Sequence, residues 1–178
     1  MNFETIDDVY NINAEIRAAL VAYLETLSEA DFEKLSEKGD WTVTKVLEHL
    51  AMVEASMVRV CDKLLSNAEK EGKMAGAPLR LSDSFVEESR QVIAGGKKVE
   101  APEIVQPSGN LDRSGVLDGL AASRKAFEEL KPKFEKFDSM SQTFPHPAFG
   151  PITALDWLVL AGAHEARHLK QIQTMVGH

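Results

Sequence analysis

His164 and His168 stand four residues apart in the run TALDWLVLAGAHEARHLKQIQTMV, residues 153–176. Four residues make roughly one helical turn, so in a helix both imidazoles leave one face, stacked. That geometry suits two ligands on one metal ion. Two core histidines, each satisfied by its own hydrogen bond, would show the same spacing, and the pair alone does not separate these readings. A third nitrogen would. His49, in WTVTKVLEHL, lies three residues after Val46 and four before Val53, on or beside the apolar stripe of another helical segment. If the two helices are neighbours, one nitrogen from each of His49, His164 and His168 can converge on a cation. Neutral imidazole suits Zn²⁺, Ni²⁺, Fe²⁺ and Cu²⁺. Three protein nitrogens leave a position open to water or substrate, as catalytic zinc sites do. Such an ion lowers the pKa of bound water or binds a thiolate.

Helical angles place the neighbours. Gln171 follows His168 by three residues and His164 by seven, so it points to their side and is placed to hydrogen-bond a ligand. Trp157, seven before His164, offers a pocket wall, but large aromatics mostly serve burial, and core packing is the simpler role. Glu48 and Glu165 adjoin the histidines in sequence yet point about 100° away, so neither is an obvious general base. His146, in a Pro/Gly loop, either approaches the pocket mouth or orders the loop. The single cysteine, Cys61, cannot form an internal disulfide. It lies about three turns along the helix from His49, among apolar neighbours, and reads as a buried, inert thiol.

The elements that must position these groups are four long helices. The first spans Asp8 to Leu27, with a stripe of Ile12, Ile16, Ala19, Leu20, Tyr23, Leu24 and Leu27. A short turn around Phe32 and Leu35 is laid back on the core. Thr42 caps the second helix, with Lys45 where a full capping box wants Glu or Gln. From Ala68 to Arg113, Gly and Pro break the periodicity. Ser84 with Glu87 opens a short helix there, stopped by Gly95-Gly96. A connection this long lets the second and third helices run in the same direction. The third covers Ser114 to Phe137, with a bend expected near Leu130 because Pro132 removes a backbone donor. After a turn-rich linker, SMSQTFPHPAFGP, Thr153 caps the fourth helix, with Asp156 three residues in, Ile152 and Trp157 as a staple, and Gly177 as the stop. Four long amphipathic helices with one long crossover imply a four-helix bundle.

Composition narrows the partners. An apolar fraction of 44% and a charged fraction of 27% are those of an ordinary globular domain, and 178 residues suffice for one core. A net charge of −8 without a basic cluster argues against nucleic acid or an anionic membrane surface. No apolar run is long enough to span a bilayer. MNFETIDDVY lacks the basic and apolar regions of a secretory signal, so a cytoplasmic location is expected.

Three stretches carry a resemblance: WTVTKVLEHL, then APEIVQPSG, then FPHPAFGPITALDWLVLAGAHEARHLKQI. Over most of the chain the sequence resembles the DinB-like superfamily, in particular its second subgroup, related to bacillithiol S-transferases and metal-dependent hydrolases. The resemblance implies an all-α four-helix bundle of up-down-down-up order, with the long crossover between helices two and three. It implies a single domain over residues 1–178 and a homodimer. It also implies one divalent transition metal ion (Zn, Ni or Fe) on His49, His164 and His168, all three positions being filled here. The expected activity is a metal-dependent S-transferase that activates a low-molecular-weight thiol against an electrophile. A metal-dependent hydrolase and a non-enzymatic, stress-related binding module are the alternatives.

Overall fold

The structure, a computed structural model, describes residues 3–36, 39–76, 78–93 and 105–177. Four long helices dominate: α1 (Ile6–Glu25), α3 (Val43–Lys70), α5 (Arg113–Lys136) and α6 (Ala154–Val176). Short α2 (Glu29–Phe32) follows α1, and α4 (Asp83–Ile93) lies in the crossover. The predicted Gly95-Gly96 stop and the crossover as far as Ile104 lie outside the described residues.

Residue pairs fix the directions. Asn13 reaches Leu158 and Arg17 reaches Glu165, so α1 and α6 run parallel. Glu54 meets Ser123 and Asp62 meets Lys133, so α3 and α5 run parallel. The start of α1 packs near Met57 and Cys61, whereas Leu20 and Leu24 pack near Val46 and Leu50, so α1 and α3 are antiparallel. The order is up-down-down-up, as expected. Two apolar clusters fill the bundle, one around Tyr10, Cys61, Phe134 and Leu155, the other around Leu20, Leu50, Leu120 and Ile172. Among the described residues no helix is long and apolar enough to cross a membrane.

Local chemistry sets the helix ends. The Thr42 hydroxyl accepts the Lys45 N–H at 3.2 Å, the half of the capping box that Lys45 permits. At α6 the box is complete: the Thr153 hydroxyl accepts from the Asp156 N–H, and the Asp156 carboxylate accepts from the Thr153 N–H. The fully buried Asp156 also accepts the Ser82 N–H and hydroxyl at 3.0 and 2.7 Å, which ties α4 to the start of α6. The Ser82 hydroxyl in turn accepts the Phe85 N–H, so the crossover helix is capped by Ser82 and not by Ser84. Here a tertiary bond to Asp156 outweighs the local Ser84–Glu87 pattern. Helix α5 continues through Pro132.

Two further expectations are corrected. The turn-rich linker forms a β-hairpin, β1 (Thr143–His146) paired antiparallel with β2 (Gly150–Thr153). Pro145 faces Pro151, a pairing the ladder tolerates only where neither strand must donate. Gly150, at φ +69°, takes the left-handed position that a short hairpin loop requires. On α1 the buried face is Ile6, Val9, Tyr10, Asn13, Arg17, Leu20 and Leu24. Ile12 and Ile16 are only half-buried and Ala19 is exposed. The stripe is rotated because Asn13 and Arg17 face inward, onto partners that other helices supply.

Candidate metal centre

Helix α3 begins at Val43, which places His49 in its second turn, and antiparallel α6 brings His164 and His168 opposite it. His49 is 5% exposed and His168 3%. One nitrogen from each of the three imidazoles lies within 4.8 Å of the others. Among the described residues this is the one group of three His, Cys, Asp or Glu side chains placed to hold a metal ion. His164 Nε2 and His168 Nε2 are 3.0 Å apart. A tetrahedral ion with metal–nitrogen bonds of about 2.0–2.1 Å spaces its nitrogens by about 3.3 Å.

The outer ring nitrogens fix the tautomers. His49 Nδ1 lies 2.8 Å from the Val105 carbonyl, which only accepts, so Nδ1 carries the proton and Nε2 is bare. His168 Nδ1 donates likewise to the Gln171 amide oxygen at 2.8 Å. Outer partners of this kind orient metal-bound imidazoles. His164 differs: its Nδ1 is buried with no hydrogen-bond partner. Without an ion, His164 Nε2–H donates to His168 and leaves Nδ1 a bare, buried lone pair. With the proton on Nδ1, bare Nε2 lone pairs face one another. A cation between them removes that repulsion, so the donor set fits a divalent metal.

Electrostatics keep the three rings neutral. Burial, then the neighbouring His49, hold the pKa of His168 down to about 3. Burial, then His168 and His49, hold that of His164 well below the usual value. Burial also lowers that of His49, against the opposing bond to Val105.

The other residues singled out from sequence take specific places. Gln171 belongs behind His168, where it orients the ring; it does not stand in the open position. Trp157 is 6% exposed and part of the core, its indole N–H unpartnered and its ring 5.0 Å from that of His146. His146 orders the loop: its Nδ1 accepts the N–H groups of Ala148 and Phe149 at 3.0 and 3.3 Å. Cys61 is fully buried, and burial pushes its thiol pKa up, away from reactivity.

Neither adjacent glutamate is available as a base. Glu48 accepts the Ser108 N–H and hydroxyl at 2.9 and 2.6 Å and the Gly109 N–H at 2.9 Å. Burial opposes its charge, but these donors hold its carboxyl below the usual range. Consecutive residues Glu48 and His49 thus clip the returning crossover to α3. Gly109, at φ +72°, suits the clip because its backbone is left-handed and a Cβ there would sit 2.7 Å from the Lys45 stem. Glu165 turns away from the imidazoles to Arg17. Sequence reading missed Arg17: a lone arginine on an apolar stripe carries no periodic signal, and its partners lie 37 and 148 residues away.

Comparison with known proteins agrees with this architecture. The sequence model of the DinB superfamily matches residues 13–172. The uncharacterized protein YuaE of Bacillus subtilis (strain 168) is 27% identical over 161 residues, covering 85% of this chain and 91% of YuaE. The crystal structure of TT2238, described as a four-helix bundle protein, superimposes with a TM-score of 0.65 at 28% identity, covering 96% of this chain and 99% of that one.

Proposed function

The chain belongs to the DinB superfamily, and on that footing we propose that it is a metal-dependent thiol S-transferase whose divalent ion (Zn, Ni or Fe) is held by His49, His164 and His168. The observation that supports it is the convergence of three neutral imidazoles, two with their outer nitrogens already committed to Val105 and Gln171. A bound ion supplies Lewis acidity, which lowers the pKa of a thiol ligand to yield a nucleophile at neutral pH. The chain's own part is to fix the rings, hold them unprotonated and keep the site largely closed to solvent.

A specific observation favours thiol transfer over hydrolysis. Activated water usually needs a positioned base to take its proton, and the carboxylates nearest the histidines in sequence are saturated. Glu48 accepts three donors and Glu165 is paired with Arg17. A thiol, with an ordinary pKa of about 8.5 against 15.7 for water, would release its proton to solvent beside such an ion without a positioned base. The proposed partners are therefore a small thiol and an electrophile.

The test is elemental analysis of protein purified without chelator, joined to a thiol-and-electrophile screen. The expected result is about one divalent ion per chain, metal-dependent thiol consumption with a haloaromatic or an epoxide, and loss of both in His168→Ala. Protein that takes up no metal even after reconstitution would remove every enzyme reading. Ester or amide hydrolysis without thiol would assign the hydrolase. A His168→Ala variant that keeps thiol transfer but loses thermal stability would make the ion structural.

A further inference from the structure

Beneath the histidines lies a polar layer that the proposed chemistry does not use. Arg17 of α1 is 9% exposed at the bundle axis. Its Nη2 donates to both oxygens of Glu54 on α3, at 2.7 and 2.6 Å. Its Nε donates to Glu165 on α6 at 2.5 Å, and its Nη1 to the Leu120 carbonyl on α5 at 2.6 Å. Ser123 of α5 completes the ring by donating to Glu54. Glu54 and Glu165 are 2% and 3% exposed. One guanidinium therefore touches all four long helices.

Placement ties this layer to the imidazoles. Glu54 is five residues beyond His49, about 7.5 Å of helical rise. Glu165 sits between His164 and His168. Arg17 thus bridges the helix carrying one imidazole and the helix carrying two, within about two turns of all three. We propose that Arg17 is a positioning residue: its planar fork fixes the register of α6 against α3 and so the convergence of His49 on the His164–His168 pair. The inference rests on the metal reading above for its function, and its geometry stands without it. A slide of α6 by 1 Å, on the order of the change at issue, would exceed the roughly 0.2 Å tolerance of metal–nitrogen distances. Stability alone is a poor account of such a layer. Buried ion networks are often replaced by apolar groups at no cost, and setting a register is their best-attested use. Arginine suits the task because its donors lie in one rigid plane.

The test compares wild type with Arg17→Met/Glu54→Gln/Glu165→Gln, which removes the ion pairs without leaving a bare buried charge. Cobalt(II) serves as probe, read by its visible absorption. In metal-free protein, long-range ¹H–¹⁵N spectra report the three imidazoles. The expected result for the folded variant is cobalt affinity lower by about tenfold or more, altered visible bands, and imidazole signals shifted from those of the Nδ1–H tautomers of His49 and His168. If the triple variant does not fold, Arg17→Lys, which keeps the charge and loses the fork, must move the same signals. A folded variant with unchanged affinity, bands and imidazole signals overturns the inference. If wild type takes up no cobalt while the imidazole signals still move, the metal reading falls and the positioning role stands.

Discussion

Three neutral histidines, His49 and His168 buried and His164 half-buried, make the metal-free protein sensitive to mild acid. In an unfolded chain each imidazole titrates near 6.5. In the folded protein burial holds His168 down to about 3 and pushes His49 and His164 in the same direction. Below pH 6.5 the unfolded state therefore binds protons that the folded state refuses, and stability falls as pH falls. At pH 5.5 the loss from His168 is about 1.4 kcal/mol, and His49 and His164 add losses of the same sign. Even the His168 loss alone is measurable against a typical stability of roughly 5–15 kcal/mol. Glu165 works in the opposite direction, because burial raises its carboxyl pKa against the pull of Arg17. The low-titrating carboxylates, such as Glu48, lose their contribution mainly below this window. The assay is urea unfolding in chelator at pH 7.0 and 5.5, for wild type and for His49→Gln/His164→Gln/His168→Gln. The wild type should lose at least about 1 kcal/mol over this interval and the triple variant much less. Equal losses in the two proteins would refute the reasoning, since the acid sensitivity would then lie elsewhere.

Two further outcomes follow from single contacts. In Glu48→Gln the amide keeps one acceptor oxygen against three donors, so amide exchange at Ser108 and Gly109 should quicken by at least tenfold, with a stability loss of about 1.5–3 kcal/mol; unchanged protection would mean that the clip does not hold the crossover. In Gly162→Ala the new Cβ would fall 2.0 Å from Asn13 Oδ1, expelling a side chain that donates to the Leu158 carbonyl. A loss of about 1–3 kcal/mol is expected by urea unfolding, and Asn13→Ala should recover part of it in the double variant, because the two positions share one contact.

What could be read from the sequence was local. Thr42, Thr153 with Asp156, and Gly177 set helix ends through bonds spanning three or four residues, so the residues themselves encode them. The stacking of His164 on His168 follows from helical periodicity alone, and the inward position of His49 from its apolar flanks. Four stripes and one long connection were enough for the bundle. Tertiary structure decided the rest, because it depends on what meets across helices. Gln171 chose between a ligand and His168 only when the ring was placed beside it, and His146 turned to the hairpin amides because Pro145 and Pro151 pair as strands. Ser82 displaced Ser84 as a cap because Asp156 reached it from 74 residues away. Arg17 was illegible for the same reason. A polar side chain on an apolar stripe breaks the pattern that sequence can show, and only two carboxylates arriving from α3 and α6 make its burial favourable.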